Sequence, residues 1–436
     1  MTESANISEV SENSENSRIF ENPITPGEPN EFAHHGASHD SVTGAAFTAA
    51  QESITTLGAR AFGVDAATFT NWRWQMKHQV ANRADAERIL KLAGAEAEGF
   101  DELADIFQSG ITPYYLMLMV PRSGEAEIPA HLHPIRLQGL PRTEELKDPL
   151  GVGDPLDEVG HSPVREVVHV YPDRVAFCVA QLCPVYCRYC FRKRRDEESG
   201  LHFNRTIIDR GIEYIASNPA IKDVLITGGD PFIASDSALE NLVARLRAIP
   251  HVEIIRFGTR TPVTLPYRVT RELAQRLAKY HPIFVNTHFN CPEELTPEAR
   301  QAVANLVDAG IPVGNQSVLL RHVNDEPQRM IQLLRGLLRA RIRPYYLFHP
   351  HRVAGTEHLR VPIRTGINLM KKLRGNITGL AIPTYILDTP SGKVPLTPNH
   401  ILSEDGDDLI IEDCRGEIWR EKGVVHETKT HMTLDS

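Results

Sequence analysis

Cys183, Cys187 and Cys190 stand at C-x3-C-x2-C spacing in the stretch Cys183-Pro-Val-Tyr-Cys187-Arg-Tyr-Cys190-Phe-Arg192-Lys-Arg-Arg195. Iron–sulfur clusters are held by cysteine thiolates. Three thiolates this close can each take one iron of a cubane cluster and leave the fourth iron open to an outside ligand. Two other chemistries compete. A structural zinc needs four nitrogen or sulfur ligands, and His202 is the nearest histidine that could supply a fourth. A disulfide framework suits short secreted chains. This chain has 436 residues and six cysteines, and its first residues lack the basic start and apolar core of a secretory signal. Free thiols in a reducing cytoplasm are the expectation.

The apolar run Val175–Leu182 directly precedes the first of these cysteines. It reads as a buried strand, so the thiols occupy the loop at its C-terminal end. Further strand-like runs follow at Val224–Thr227, Ile254–Phe257, Ile283–Asn286, Val313–Leu319 and Tyr345–Phe348. Helical patterns lie between them at 206–217, 237–248, 267–279, 296–309 and 327–340, and one follows at 362–374. Repeated β–α alternation predicts a parallel sheet with helices outside. Six units are too few for a closed eight-fold barrel, so the expected fold is α/β, a partial (β/α)6 barrel. In such barrels chemistry sits at the C-terminal ends of the strands. The cysteines occupy such a position, as do Gly228-Gly229-Asp230, Thr259-Arg-Thr261 and His288.

Around this core the reading is coarser. Residues 1–42, rich in Ser, Glu, Asn, Pro and Gly, read as a disordered tail. His34, His35 and His39 belong to that solvated tail. An N-terminal helical region and connection covers 43–170, with helical patterns at Gln51–Phe62, Asp65–Val80 and Ala84–Ala93. Trp72 and Trp74 are expected as core anchors. Pro113–Val120 has strand character, and the Pro-rich stretch from Pro121 to Tyr171 reads as loop. The barrel spans 171–376. A small C-terminal β segment at 377–423 includes Leu380–Leu387, Leu409–Ile411 and Glu417–Trp419, and 424–436 carry no core pattern. A net charge of −9 argues against a general nucleic-acid binder. No run approaches the length of a membrane span.

The chain as a whole resembles the lysine 2,3-aminomutase family within the radical S-adenosylmethionine (SAM) superfamily. The likeness rests on the cysteine motif and on an ordered set of segments. These are Trp72-Arg-Trp-Gln75, Ile111-Thr-Pro-Tyr-Tyr115, Tyr171-Pro-Asp-Arg174, Thr227-Gly-Gly-Asp230, Asn286-Thr-His-Phe-Asn290, Gly314-Asn-Gln-Ser-Val-Leu-Leu320, Arg343-Pro-Tyr-Tyr346 and Lys393-Val-Pro. The resemblance implies a radical SAM barrel whose [4Fe-4S] cluster is held by Cys183, Cys187 and Cys190, with SAM on the open iron. Gly228, Gly229 and Asp230 then match the turn that meets the amino group of SAM.

The same resemblance implies pyridoxal 5′-phosphate (PLP) on Lys393 as a Schiff base, for which a buried lysine is suited. The Ser-Gly-Lys loop here is less glycine-rich than the family pattern. Arg174 matches the phosphate anchor and Arg192 the partner of the substrate α-carboxylate. Asp325 and Asp388 match the two aspartates that hold a side-chain ammonium. Outside that frame, Lys393 reads as an exposed lysine, Arg174 as a surface ion pair, Asp325 as a helix N-cap and Asp388 as a turn residue. Cys178, Cys291 and Cys414 read as structural.

The implied activity is that of an isomerase, moving the α-amino group of a cationic amino acid, L-lysine first, to the β-carbon. Its partners would be a small-molecule amino acid and a flavodoxin- or ferredoxin-type electron donor, with a homo-oligomer open. Arginine or ornithine could replace lysine. A lysine-modifying enzyme of translation-factor maturation and a non-enzymatic iron–sulfur protein are the alternatives.

Overall fold

The computed structural model describes residues 53–121, 128–193, 205–406, 408–413 and 416–421. Both predicted tails lie outside these residues, as do His34, His35, His39, His202, Arg195 and Cys414. Nine strands form one sheet in chain order, from β1 (Val167–Tyr171) and β2 (Arg174–Ala180) through β3 (Asp223–Gly228), β4 (Ile254–Gly258), β5 (Ile283–Thr287), β6 (Val313–Val318), β7 (Arg343–Phe348) and β8 (Thr384–Thr389) to β9 (Gly392–Pro395). β2 to β8 pair in parallel, while β1 and β9 are antiparallel flanks. The partial (β/α)6 barrel thus carries one more parallel strand than the alternation predicted, with a flank on each edge.

Within the barrel, helices occupy the expected places. Among the described residues seven short helices precede the barrel: α1 (Ile54–Phe62), α2 (Ala66–Thr70), α3 (Trp72–Lys77), α4 (Arg83–Glu87), α5 (Gly94–Glu102), α6 (Pro113–Met117) and α7 (Pro134–Gly139). Within the barrel run α8 (Arg205–Ala216), α9 (Asp236–Arg247), α10 (Thr261–Thr264), α11 (Arg271–Ala278), α12 (Pro297–Asp308), α13 (Pro327–Arg339) and α14 (Ile363–Leu373). Apolar residues at helical spacing, such as Leu239, Leu242, Val243 and Leu246 of α9, turn inward and bury against the sheet. Strands β3 to β5 contribute Val224, Ile226, Ile255, Phe257, Ile283 and Val285 to the same core.

Four readings are corrected. The 113–120 run opens as the helix α6 rather than as a strand, because Pro113 sits in the first turn and the Thr112 hydroxyl caps the Tyr115 N–H. The expected helix over 65–80 breaks at Asn71, whose side chain accepts from Arg73 and Trp74 and restarts the chain as α3. The pattern at 84–93 yields only α4, and a further helix, α5, follows it. The 121–171 stretch contains α7 and β1 besides loop. Trp74 packs against Phe62 and Phe69 with ring centres 6.0 and 6.1 Å apart. Trp72 is half-buried under the Arg268 guanidinium. Three strands, β10 (Ile401–Asp405), β11 (Asp408–Glu412) and β12 (Ile418–Glu421), form a separate antiparallel sheet.

Candidate active site

The cysteine loop leaves β2 and is seated on the end of β3. Gly228 has φ +118 and lies against the Ala180 carbonyl, and a Cβ on Gly229 would come within 2.5 Å of Gln181 and Leu182 backbone atoms. Both glycines are therefore required by the close approach of the strand that delivers Cys183. Asp230 is buried, and its oxygens accept from Thr259 Oγ1 at 2.6 Å, the Arg260 N–H at 2.8 Å and the Phe232 N–H at 3.1 Å. Burial raises its pKa against these donors. The carboxylate thus joins the loops after β3 and β4.

Cys183, Cys187 and Cys190 are all free thiols. Burial pushes Cys183 well up, and Asp230 and the other two thiols push it further. Cys190 is pushed up to about 11 by burial and by Cys187. Two thiols, Cys183 and Cys190, whose ionisation is disfavoured by burial and by neighbouring thiols, fit a site completed by cations, since metal binding deprotonates a coordinating thiol. Among the described residues no three His, Cys, Asp or Glu side chains converge on a single ion. A cubane cluster asks instead for one thiolate on each of three irons.

Arg192 leaves the same loop. Its Nη2 and Nε lie 2.6 and 2.9 Å from the two Glu158 oxygens, and its Nη1 reaches Thr227 Oγ1 and the Gly228 carbonyl at 3.4 Å. The arginine expected to meet a substrate carboxylate therefore already holds a carboxylate, from the loop before β1. Glu158 carried no distinguishing sequence signal.

Lys393 lies on β9 opposite Asp388 of β8. Its Nζ is 3.0 Å from Asp388 Oδ1, and His351 Nε2 is 3.5 Å from Asp388 Oδ2. Burial works against the Asp388 charge, but His351 and Lys393 hold its pKa below the ordinary value. Lys393 itself is not buried: a third of its side chain, 33%, reaches solvent, because β9 is an edge strand. Its backbone N–H donates to the Tyr171 hydroxyl at 2.8 Å. The Arg174 guanidinium stacks on that same Tyr171 ring at 3.6 Å while pairing with Asp173 at 2.8 Å. Tyr171 thus brings Lys393 and Arg174, 219 residues apart in sequence, onto one side chain.

Asp325 follows β6. Its Oδ1 accepts the His322 N–H at 2.9 Å, and burial raises its pKa. It does not cap α13, whose N-cap is Glu326. None of its observed partners is Asp388 or Lys393. Asn290 hydrogen-bonds Gln138 and Tyr189, and Cys178 and Cys291 are buried core thiols.

The cysteine loop and the Lys393 hairpin fall in two separately recognised segments. Residues 178–334 match the family model of the radical SAM superfamily, and 370–426 match that of lysine-2,3-aminomutase. The L-lysine 2,3-aminomutase of Clostridium subterminale is 41% identical over 358 residues, 81% of this chain and 84% of that protein. The chain belongs to the lysine 2,3-aminomutase family. The L-lysine 2,3-aminomutase of Fusobacterium nucleatum is likewise 41% identical, over 80% of this chain and 81% of its own. The family also includes a glutamate 2,3-aminomutase of Clostridioides difficile, 38% identical over 80% of this chain and 82% of its own. Within this lysine 2,3-aminomutase family member, sequence reasoning overlooked Tyr171, Glu158 and His351. Tyr171 was within reach, since it opens the Tyr171-Pro-Asp-Arg174 segment.

Proposed function

We propose that this protein is a 2,3-aminomutase that converts L-lysine to β-lysine with a [4Fe-4S] cluster, SAM and PLP. The observation that carries the reading is the convergence of Lys393, Arg174 and Asp388 around Tyr171 and β9. When bound, the cluster and SAM supply a carbon radical, and PLP supplies the π bond that lets nitrogen migrate. The three cysteines hold the cluster, and the turn at Gly228, Gly229 and Asp230 shapes the SAM pocket beside them.

The remaining work belongs to the chain. Lys393 offers the amine that holds PLP, and Arg174 is the cation for its phosphate. Arg192 orients the substrate α-carboxylate. Asp388 and Asp325 select a substrate with a cationic end. The ammonium that Asp388 grips here is a lysine's own Nζ, at 3.0 Å, which supports lysine over glutamate. Two carboxylates at that end would repel an acidic substrate. An external one-electron donor of flavodoxin or ferredoxin type reduces the cluster. No helix among the described residues is long and apolar enough to cross a membrane.

Anaerobic incubation with PLP, SAM and dithionite tests the reading, with lysine, arginine, ornithine and glutamate offered separately. β-Lysine as the product supports it. Conversion of arginine or ornithine alone keeps the reaction and changes the substrate. SAM cleavage without migration on any of the four rejects the free-amino-acid reading in favour of a protein-borne lysine.

A further inference from the structure

β4 ends at Gly258 and hands the chain to Arg260, whose side chain is buried at 9% exposure. Its guanidinium is pinned from several directions. Nη2 donates to Glu294 Oε1 and Gln138 Oε1 at 2.6 Å each and to the Tyr115 hydroxyl at 3.0 Å, and Nε donates to the His288 carbonyl at 3.2 Å. The rings of Tyr115 and Tyr189 lie 5.3 and 5.4 Å from its central carbon. The backbone N–H of Arg260 is fixed by Asp230. With these contacts made, Nη1 points at Cys187 Sγ from 2.8 Å.

The counter-charge of Arg260 is Glu294, which pairs with Nη2 and not with the Nη1 that meets the sulfur. Glu294 Oε1 also accepts from the Tyr115 hydroxyl, and Oε2 accepts the N–H groups of Asn290 and Cys291. The carboxylate thus shares its charge with three further donors, while Nη1 of the buried guanidinium faces one cluster ligand. Hydrogen bonds to sulfur and local charge are among the features that set a cluster's potential. A cation beside a ligating sulfur stabilises the more negative, reduced state.

We propose that Arg260 is a positioning residue for the cluster, holding Cys187 Sγ in place and raising the reduction potential through its Nη1 contact. The proposal rests on the cluster reading above. It gives the Thr259-Arg260-Thr261 segment a role in electron uptake that is separate from binding SAM or amino acid.

The test is an EPR-monitored redox titration of the reconstituted full-length protein, run without SAM or substrate so that turnover does not enter. Arg260→Gln removes the cation and should move the midpoint to more negative potential. Arg260→Lys keeps the charge without the fork and should fall between Arg260→Gln and the native protein. Glu294→Gln keeps Arg260, removes its counter-charge and should move the midpoint the opposite way. That variant also covers the case in which Arg260→Gln does not fold. Midpoints for Arg260→Lys and Glu294→Gln equal to the native value, at equal iron content, overturn the proposal alone. A native protein that takes up no cluster overturns the cluster reading and this proposal together.

Discussion

The Tyr171 hydroxyl accepts a 2.8 Å hydrogen bond from the Lys393 backbone N–H, joining the two edge strands β1 and β9 of an otherwise open sheet. Gly392 makes this possible: its φ is +128, and a Cβ there would sit 2.9 Å from the Tyr171 hydroxyl. Tyr171→Phe removes the acceptor and keeps the ring under Arg174. A neutral hydrogen bond contributes about 1 kcal/mol, so PLP affinity should fall about fivefold. Tyr171→Ala also removes the cation–π stack, worth roughly 0.5–1 kcal/mol more at an exposed site. Absorbance titration with PLP reads both. Native-like affinity in both variants would show that the hairpin finds its place without Tyr171.

Asp388 carries two cationic or titratable neighbours on a side chain only 9% exposed. Asp388→Asn removes the charge and leaves the shape. A hydrogen bond to a charged group contributes roughly 1.5–3 kcal/mol, so kcat/KM for lysine should fall about tenfold or more, mostly through KM. The same pairing favours the folded state above the usual carboxylate pKa, because the folded carboxyl binds protons less readily than the unfolded one. That contribution disappears as pH falls through its lowered value. Steady-state kinetics with lysine check the first expectation. A KM unchanged from the native enzyme would remove Asp388 from ammonium recognition.

The barrel was legible because each unit repeats one physical pattern: a short apolar run, then amphipathic spacing. The strand Val224–Thr227 and the helix 237–248 were each placed within a residue or so of β3 and α9. The cysteine triplet was legible because its spacing is local. What the sequence concealed lies in contacts between distant segments. Nothing near Glu158 announces Arg192, 34 residues on, and Lys393 reads as buried only if β9 is not an edge. Asp230 adds a second set of contacts of this kind. A carboxylate after two glycines suggested a cation site, and the fold adds acceptance from Thr259 Oγ1 and the Arg260 N–H, which no local pattern announces.

Arg192 is held at both Nε and Nη2 by Glu158, with side chains 13% and 16% exposed. This bidentate grip fixes the plane of the guanidinium and leaves Nη1 as the end directed toward Thr227 and Gly228. Glu158→Gln retains one acceptor and loses the charge-assisted pair, which contributes roughly 1.5–3 kcal/mol. The expected result is a KM for lysine raised about tenfold, with PLP and iron content unchanged. A lowered KM would reverse the interpretation and make Glu158 a competitor for the substrate carboxylate.

Acid sensitivity follows from histidines held neutral. His288 is pushed down to about 3 by burial and by Arg260, and His349 and His358 to about 4, chiefly by burial. An unfolded histidine titrates near 6.5. Below that pH the unfolded chain binds more protons than the folded one, so stability falls as pH drops toward 4. His358 is the informative position, since neither ring nitrogen has a hydrogen-bond partner among the described residues. Its replacement removes a titrating group without breaking a bond. Each such histidine costs about 1.4 kcal/mol per pH unit below 6.5. His358→Leu should therefore lose about 2 kcal/mol less stability than the native chain between pH 7 and pH 5. Urea denaturation at the two pH values measures the difference. Equal losses in both proteins would mean that His358 is already protonated in the folded state.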